Sequence, residues 1–352
     1  MSKNMFAGAN SPMGFVDFFD NIMVAENARW RYFLKGSSGS GKSTFMKKIA
    51  AALEEKGLEV ERFHCANDVE SLDAVANHQR GICFMDATFP HSRDPQMPII
   101  IDKIIDFSGF IDGDKIANSR EEIAQLTRVK RGLSEKAAGY FGALGKIYRA
   151  DRASRKDFLI GGSINKLARE WAKNFQVKEG TNRSILNRQL FLSAVTPDGL
   201  VSFAEGFFSE CTVYGVFSEQ AVGVGEFLEQ MRNEANIHGV STESFHNPFA
   251  PDAIEHLYLP EINIAFATLG GHFGYSGNVA EKIDLTRCIS RKFVAHKEEK
   301  GNGLFDSVLD EVIRLMKNSR SHHFGIERLY SGALDYGRLD EFTEQMIGDI
   351  LL

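Results

Sequence analysis

The stretch RWRYFLKGSSGSGKSTFMKKIAAALEEKG, residues 29–57, decides the fold. It contains the apolar and aromatic residues 32–34, which indicate a buried β-strand. Glycine and serine then dominate residues 36–43, in the pattern G-x-x-x-x-G-K-S. Beyond them, apolar residues recur at three- and four-residue spacing, which predicts an amphipathic α-helix ending near Gly57. A strand, a glycine loop and a helix in this order predict an α/β fold.

The glycine loop predicts a binding site for a nucleoside triphosphate. Glycines let backbone N–H groups turn inward around phosphates, and the helix N-terminus adds the positive end of its dipole. We expect Lys42 to reach the β- and γ-phosphates, Ser43 to bind Mg²⁺ and Thr44 to contact the α-phosphate. The residues expected to bind the nucleotide are Gly36, Ser37, Ser38, Gly39, Ser40, Gly41, Lys42, Ser43 and Thr44. ATP with Mg²⁺ is the expected ligand, and the motif does not exclude GTP. The alternative is a flexible linker before a surface helix.

A second apolar run, in HQRGICFMDATFPH at residues 78–91, ends in an acidic residue. It predicts a buried strand closed by Asp86, which we expect to hold Mg²⁺ directly or through water. The alternative for Asp86 is a capping role in the following turn. His91 is placed to polarise an attacking water or accept a substrate proton, although a structural role fits the same turn. Lys42, Asp86 and His91 are therefore the candidate catalytic residues.

Other charged side chains near these motifs have weaker signals. His64, at the end of a strand predicted within residues 58–68, could line the site or be structural. Arg93 and Asp94 follow His91, and Arg93 is a candidate phosphate ligand or a salt-bridge residue. Residues 127–156 combine Lys and Arg with aromatics. They predict the solvated face of a helix, with a nucleic-acid patch or an arginine-bearing lid as alternatives.

The chain contains an internal repeat. FAGANSPMGFVDF at 6–18 matches FLSAVTPDGLVSF at 191–203, at an offset of 185 residues. Further on, the offset becomes 182 and stays constant through strand and helix segments. At this offset Gly41 matches Gly223, Phe45 matches Phe227, Gly57 matches Gly239, His64 matches His246 and Phe84 matches Phe266.

The second copy of the glycine loop has lost its charged ligands. It lies in GVFSEQAVGVGEF, residues 215–227. At the constant offset, Gly36 becomes Ser218, Lys42 becomes Val224, Ser43 becomes Gly225, Thr44 becomes Glu226 and Asp86 becomes Thr268. A carboxylate close to where phosphate would lie is repulsive. We therefore expect a nucleotide site in the first half only.

The order of motifs FAGANSPMG, GSSGSGKST, FHC and DATFPH resembles the uncharacterised bacterial P-loop ATPases that consist of two tandem halves. The resemblance covers nearly the whole chain. It implies a P-loop NTPase fold duplicated in tandem, with mainly parallel sheets and a helical section in each half. The predicted boundaries are residues 1–185 for the nucleotide-binding half and 186–352 for the degenerate half. Some members of the family keep both loops intact, so the eroded second loop is a departure.

The remaining segments predict helices and leave the sheets incomplete. Residues 119–150 indicate a long helix or a helix pair, and residues 164–175 another helix. Each half then appears as a three-stranded α/β start. We hypothesise that residues 188–196 complete the sheet of the first half and residues 5–10 that of the second.

Composition restricts the class of protein. The 352 residues carry a formal net charge of −6, so nucleic acid is not an expected partner. The four cysteines have no C-x-x-C spacing, which argues against a disulfide framework or a cysteine metal site. The first residues lack the apolar core of a signal peptide, and no run approaches the ~18 apolar residues of a membrane span. We expect a cytoplasmic protein that is not inserted in a membrane.

These features predict Mg-ATP binding with slow hydrolysis that drives a conformational switch. A kinase for a small molecule or nucleotide is one alternative, and a non-catalytic, nucleotide-gated binding module is another. No glutamate directly follows Asp86, which argues against a fast ATPase. The sequence does not identify a phosphoryl acceptor or a protein partner.

Overall fold

The computed structural model describes residues 2–89, 91–173, 175, 185–290 and 303–352. The protein is an α/β structure with two six-stranded sheets, flanked by helices. Within these ranges, no helix combines the length and apolar character that a membrane span needs.

In the first half, short strands precede a helical section. The strands are β1 Lys3–Met5, β2 Gly8–Ser11, β3 Gly14–Asp17, β4 Trp30–Lys35, β5 Glu61–Cys65, β6 Asp68–Asn77, β7 Ile82–Asp86 and β8 Asp102–Asp106. The helices are α1 Lys42–Glu55, α2 Gly113–Ala117, α3 Arg120–Lys156 and α4 Ser163–Ala172.

The second half repeats this order. Its strands are β9 Asn187–Leu190, β10 Ser193–Thr196, β11 Gly199–Ser202, β12 Thr212–Phe217, β13 Thr242–Asn247, β14 Ala250–Leu259, β15 Ile264–Thr268 and β16 Glu281–Asp284. Its helices are α5 Ala204–Phe207, α6 Val224–Ile237, α7 Leu304–Gly332 and α8 Tyr336–Leu351.

The two sheets have the same topology. The first has the order β1-β5-β6-β7-β4-β8 and the second the order β9-β13-β14-β15-β12-β16. In each sheet only the third strand in this order, β6 or β14, runs antiparallel to its neighbours. The expected mainly parallel α/β class is therefore confirmed. Each sheet takes its strands from one predicted half, and residues 176–184, before the predicted boundary, lie outside the described residues.

The hypothesised exchange of strands between the halves is wrong. Strand β1 pairs with β5 of its own sheet, and β9 pairs with β13 of its own. The two segments meet instead at an isolated antiparallel bridge between Phe6 and Phe191, with N–H···O distances of 2.8 and 3.0 Å. Each strand then continues into a hairpin of its own half, and the hairpin strands β2 and β10 contact each other.

The sequence predicted three strands at the start of each half, whereas each sheet has six. Strand β6 has the sequence DVESLDAVAN and β8 has the sequence DKIID. Their acidic and small residues hide the apolar alternation that indicates a strand. Pairing to neighbouring strands overrides this weak local preference.

The repeated S/T-P-x-G motif forms the turn of a β-hairpin in each half. Strands β2 and β3 pair around Ser11–Gly14, and β10 and β11 pair around Thr196–Gly199. The hydroxyl of Ser11 donates to the Gly14 carbonyl at 2.7 Å, and that of Thr196 to the Gly199 carbonyl at 2.9 Å. Both glycines have positive φ, 97° and 112°, which explains why glycine recurs there.

What the halves exchange is their terminal helices. Helix α4 of the first half packs its apolar side on α6 of the second, and α8 of the second half packs on α1 of the first. A Cβ placed on Gly41 would contact Leu339, and one placed on Gly223 would contact Leu159 and Ile164. Each half therefore covers the loop-to-helix junction of the other.

Helices α3 and α7 form an antiparallel pair that joins the two halves. Residues 119–150 belong to one helix of 37 residues, α3. Lys130 Nζ lies 2.8 Å from His323 Nδ1, and the Ser134 and Ser319 hydroxyl oxygens lie 2.9 Å apart. The predicted apolar stripe is buried at Ala137, Phe141 and Leu144. The charged residues between them are mostly exposed, as expected for a solvated face.

A buried arginine connects the two sheets. The Arg188 guanidinium, on β9, donates to Glu61 at 2.8 and 3.0 Å, to Glu243 at 2.6 Å and to the Asn21 carbonyl at 3.0 Å. Glu61 and Glu243 are themselves 182 residues apart, at equivalent positions of β5 and β13. Burial alone would raise the pKa of Glu61, but Arg188 and His78 outweigh it and hold this pKa well below its usual range.

We expect Arg188→Met to lower the free energy of unfolding by about 3–5 kcal/mol, because it leaves buried carboxylates without their cation. Chemical denaturation of the purified protein measures this change. Replacing both carboxylates as well, with Glu61→Gln and Glu243→Gln, should recover part of the loss.

The matched control is Arg314→Met on the exposed face of α7. Arg314 also makes two hydrogen bonds to a carboxylate, that of Glu311, both at 2.7 Å, but it is exposed to solvent. This variant should unfold like the parent. Equal effects of the two substitutions would contradict a special role for the buried cluster.

Candidate functional site

The glycine loop lies between β4 and α1, at the carboxyl ends of the parallel strands. Its backbone has positive φ at Gly36, Gly39 and Gly41, with values of 147°, 78° and 92°. Gly41 is the N-cap of α1, so the first turn of the helix opens directly onto the loop. This is the backbone geometry that presents N–H groups to an anion.

Lys42 is held inside the loop. Its Nζ donates to the Gly36 carbonyl at 2.6 Å and to the Ser37 carbonyl at 3.0 Å, and the residue is 7% exposed. The same Nζ lies 3.6 Å from Asp86 Oδ2. The ammonium group therefore lies between the loop carbonyls and the end of β7.

Asp86 ends β7 beside the loop strand. Strands β4 and β7 are parallel neighbours, with Leu34 paired to Asp86. The Thr88 N–H donates to Asp86 Oδ1 at 2.8 Å, and the Thr88 hydroxyl donates to the Gly36 carbonyl at 3.0 Å. Asp86 thus has one oxygen that caps the turn, which is one of the two roles weighed from sequence, and one that faces Lys42.

The loop serines differ in their surroundings. The Ser43 hydroxyl accepts a hydrogen bond from the Leu72 N–H at 3.0 Å, and Thr44 is exposed. Ser40 is buried, and no hydrogen-bond partner for its hydroxyl is found among the described residues. A buried unpaired hydroxyl is costly, which fits a loop that acquires partners when an anion binds.

The residues around the loop fit a magnesium triphosphate. Mg²⁺ usually keeps several waters and binds one or two carboxylates together with substrate phosphates. Asp86 and Ser43 offer a carboxylate and a hydroxyl at the edge of the loop. In the described residues, no group of three or more His, Cys, Asp or Glu side chains is arranged to hold a metal ion by itself. A metal here would therefore need phosphate oxygens to complete its coordination.

His91 lies beside the site, whereas Arg93 and Asp94 point elsewhere. The His91 ring stacks on Phe19 and meets Phe15 edge-on, both at 4.9 Å between ring centres. Arg93 pairs with Asp17 and Asp20, so it acts as a salt-bridge residue. The Asp94 carboxylate is 96% exposed and lies 3.7 Å from Lys35 Nζ.

His64 has a structural environment. Its Nδ1 lies 2.7 Å from the Val69 carbonyl and its Nε2 lies 2.9 Å from Asn4 Oδ1. Burial lowers the pKa of His64. Since both ring nitrogens are engaged away from the loop, the structural interpretation of this residue is the better one.

Sequence reasoning missed Asp73. This residue lies on β6, is 4% exposed and has its Oδ2 3.6 Å from His91 Nε2. Burial raises the pKa of Asp73 to about 6; His91 opposes this rise and Asp86 adds to it. The nearby Cys65 thiol has a pKa well above its usual range, because of desolvation and the charge of Asp73. The only local signal was an acid inside an otherwise apolar stretch, LDAVA.

Two basic side chains of helix α3 have their partners away from the first loop. Arg131 pairs with Glu135 on the same helix, and Lys156 reaches Glu226 of the second half at 3.1 Å. The basic residue nearer the first site is Lys130. Burial lowers its pKa, whereas the charge of Glu327 opposes this.

The tip of the first loop is covered by α7. A Cβ on Gly39 would lie 2.4 Å from the Glu327 carbonyl oxygen, so only glycine fits beneath the helix. Glu327 also lies 3.4 Å from His323 on the same helix. The helix that covers the first loop thus belongs to the second half of the chain.

The second loop has a different backbone and none of the charged ligands. Ser218, in place of Gly36, has φ −154°, and Ala221, in place of Gly39, has the positive φ of 57° that glycine adopts easily. Val224 is buried. Thr268 donates its hydroxyl to the Glu255 carbonyl, where Asp86 would offer a carboxylate.

Comparison with protein-family models, with curated proteins and with solved structures found no match to this chain.

We expect Lys42→Ala to weaken triphosphate binding by about 10–100-fold, because a hydrogen bond to a charged group contributes roughly 1.5–3 kcal/mol. Titration calorimetry measures the change. The control is Val224→Ala, at the equivalent position of the second loop, which should bind as tightly as the parent. Parental affinity of Lys42→Ala would remove the loop from consideration.

We expect Asp86→Asn to remove most of the Mg²⁺ dependence of nucleotide binding, because an amide oxygen carries no charge for the metal. Binding titrations with and without Mg²⁺ test this. Asp94→Asn, a nearby carboxylate that is exposed, is the control and should keep the full dependence. An unchanged Mg²⁺ effect in Asp86→Asn would leave Asp86 with its capping role alone.

Proposed function

We propose that the first half binds one Mg-nucleoside triphosphate, with ATP as the expected nucleotide, and hydrolyses it slowly to drive a conformational change. The observation that carries this proposal is the position of Lys42 between the glycine loop and Asp86, at the N-terminus of α1. A lysine and an aspartate placed in this way serve a bound phosphate and its metal.

Nucleotide binding replaces contacts that the loop makes with itself. The Lys42 ammonium exchanges the Gly36 and Ser37 carbonyls for phosphate oxygens, and the loop N–H groups and helix dipole complete the site. Ser43 and Asp86 supply protein ligands for Mg²⁺. The catalytic effect is positioning and charge neutralisation of the γ-phosphoryl group.

Helix α7, which covers the glycine loop, connects this site to the rest of the molecule. Helix α7 passes over Gly39 and runs antiparallel to α3, whose last turns reach the second loop through Lys156 and Glu226. A change in the first loop must therefore be accommodated by the helix pair or by the loop itself. Slow turnover follows because Ala87, and no carboxylate, comes directly after Asp86.

We expect calorimetry with Mg-ATP to give a ratio near one nucleotide per chain. The second half lacks the lysine and the aspartate, whereas Glu226 is paired with Lys156, so the repulsion expected from sequence is partly offset. The case against a second site therefore depends on Val224, Thr268 and the non-glycine loop. A ratio near two, with one site surviving Lys42→Ala, would contradict it.

Phosphate release from ATP tests the reaction itself. The parent should release phosphate in the absence of an acceptor, and Lys42→Ala should not. Formation of ADP without free phosphate, only when an alcohol or nucleotide acceptor is added, would indicate a kinase. Tight binding without release under either condition would indicate a nucleotide-gated binding module.

A further inference from the structure

Asp73 lies at a β-bulge that directs it towards the site. In the pairing of β5 with β6, Phe63 faces Ala74 and His64 faces Leu72, so Asp73 is the extra residue between them. Bulges of this kind re-aim a side chain and are frequent next to active sites. On its other side, Ala74 pairs with Met85 of β7, which places Asp73 opposite Asp86.

His91 is connected to the glycine loop by a short chain of hydrogen bonds. Its backbone N–H donates to the Thr88 carbonyl at 2.8 Å, and the Thr88 hydroxyl donates to the Gly36 carbonyl at 3.0 Å. Phe15 and Phe19 hold the imidazole ring on two sides. The histidine therefore keeps a defined position relative to the loop.

Asp73 and His91 face each other with unsatisfied atoms. The Asp73 Oδ2 and His91 Nε2 atoms are 3.6 Å apart, and both side chains are more than nine-tenths buried. Among the described residues, neither Asp73 Oδ2 nor His91 Nδ1 has a hydrogen-bond partner. Catalytic hydrogen bonds are often long in the absence of substrate and shorten when it binds.

The second half shows the same bulge without this arrangement. Glu255 occupies the bulge position of β14, between the pairs Phe245–His256 and His246–Ile254. Its carboxylate accepts a hydrogen bond from Asn247, and Phe273 stands where the first half has His91. The second half, which has no counterpart of Lys42 or Asp86, thus has an acid at the bulge but no histidine facing it. The unsatisfied acid–histidine pair is found in the first half, beside Lys42 and Asp86.

We propose that His91 is the catalytic base for the water that attacks the γ-phosphate, and that Asp73 is the residue that positions its ring. This inference rests on the proposed function. His91 Nε2–H would donate to Asp73, which leaves the lone pair of Nδ1 for the water. As the water oxygen bonds to the γ-phosphorus, its proton passes to Nδ1. The bond from phosphorus to the bridging oxygen breaks, and the nucleoside diphosphate leaves with its electron pair.

Asp73→Asn tests the positioning role. The asparagine amide would donate to Nε2, which favours the tautomer protonated at Nδ1 and removes the base. We expect kcat for ATP hydrolysis to fall about 10²-fold, as is typical for loss of a general base, with KM and the calorimetric Kd unchanged within about threefold. Asp73→Glu, which keeps the carboxylate, should restore part of kcat.

His91→Phe tests the catalytic role and is suited to the packing, because the second half already has Phe273 at this position. It should lose kcat to the same extent as Asp73→Asn. The double variant should be no slower than either single variant, because both substitutions disable one unit. The matched control is Glu255→Gln, at the bulge of the second half, which should keep the parental kcat.

Parental kcat in His91→Phe or Asp73→Asn would overturn the inference, as would losses that multiply in the double variant. If Asp73→Asn fails to fold, judged by thermal melting, His91→Phe and Asp73→Glu decide the question by the same criteria. Failure of the proposed function is distinguishable, because the parent itself would then not bind Mg-ATP or not release phosphate.

Discussion

The buried contact of Arg188 with Glu61 and Glu243 holds the two halves in their relative positions. One guanidinium on β9 donates to carboxylates at equivalent places in the two sheets. The cluster is buried, so its charges are stable only together, and any displacement of one sheet against the other leaves a charge unpaired. Because the pKa of Glu61 is depressed, its contribution to stability is present above the ordinary glutamate pKa and is lost as the pH falls below it.

The candidate site depends on this relative position of the halves. Helix α8 packs on α1, and α7 covers the glycine loop at Gly39, yet both helices belong to the second half of the chain. The glycine loop therefore belongs to one half and is covered by a helix of the other. This arrangement gives the second half a structural role, since it supplies helices to the first.

The two halves differ in polar character at a few positions of the glycine loop and the neighbouring strand end, such as Lys42 against Val224 and Asp86 against Thr268. Apolar residues such as Phe227, Phe245 and Phe266 remain buried, so the sheet and helix are kept by packing. Ligand positions have no such constraint. Val224 joins the apolar core, and Thr268 satisfies its hydroxyl on a neighbouring backbone carbonyl. The fold and the polar residues at the strand ends can therefore vary separately, because they use different side chains.

The sequence alone determined the features that depend on local patterns: the loop with Lys42, the strand ending at Asp86, the helical character of residues 119–150, the mainly parallel α/β class and the offset between the halves. Only the structure decided that α3 is one helix and not a helix pair. Strands β6 and β8 escaped detection because pairing, and not their own composition, makes them strands. Only the tertiary structure placed Asp73 against His91, since a bulge on one strand and a turn after another meet through sheet pairing. It alone also decided that the halves exchange helices, because the amphipathic patterns of α4 and α8 require an apolar partner without specifying which one.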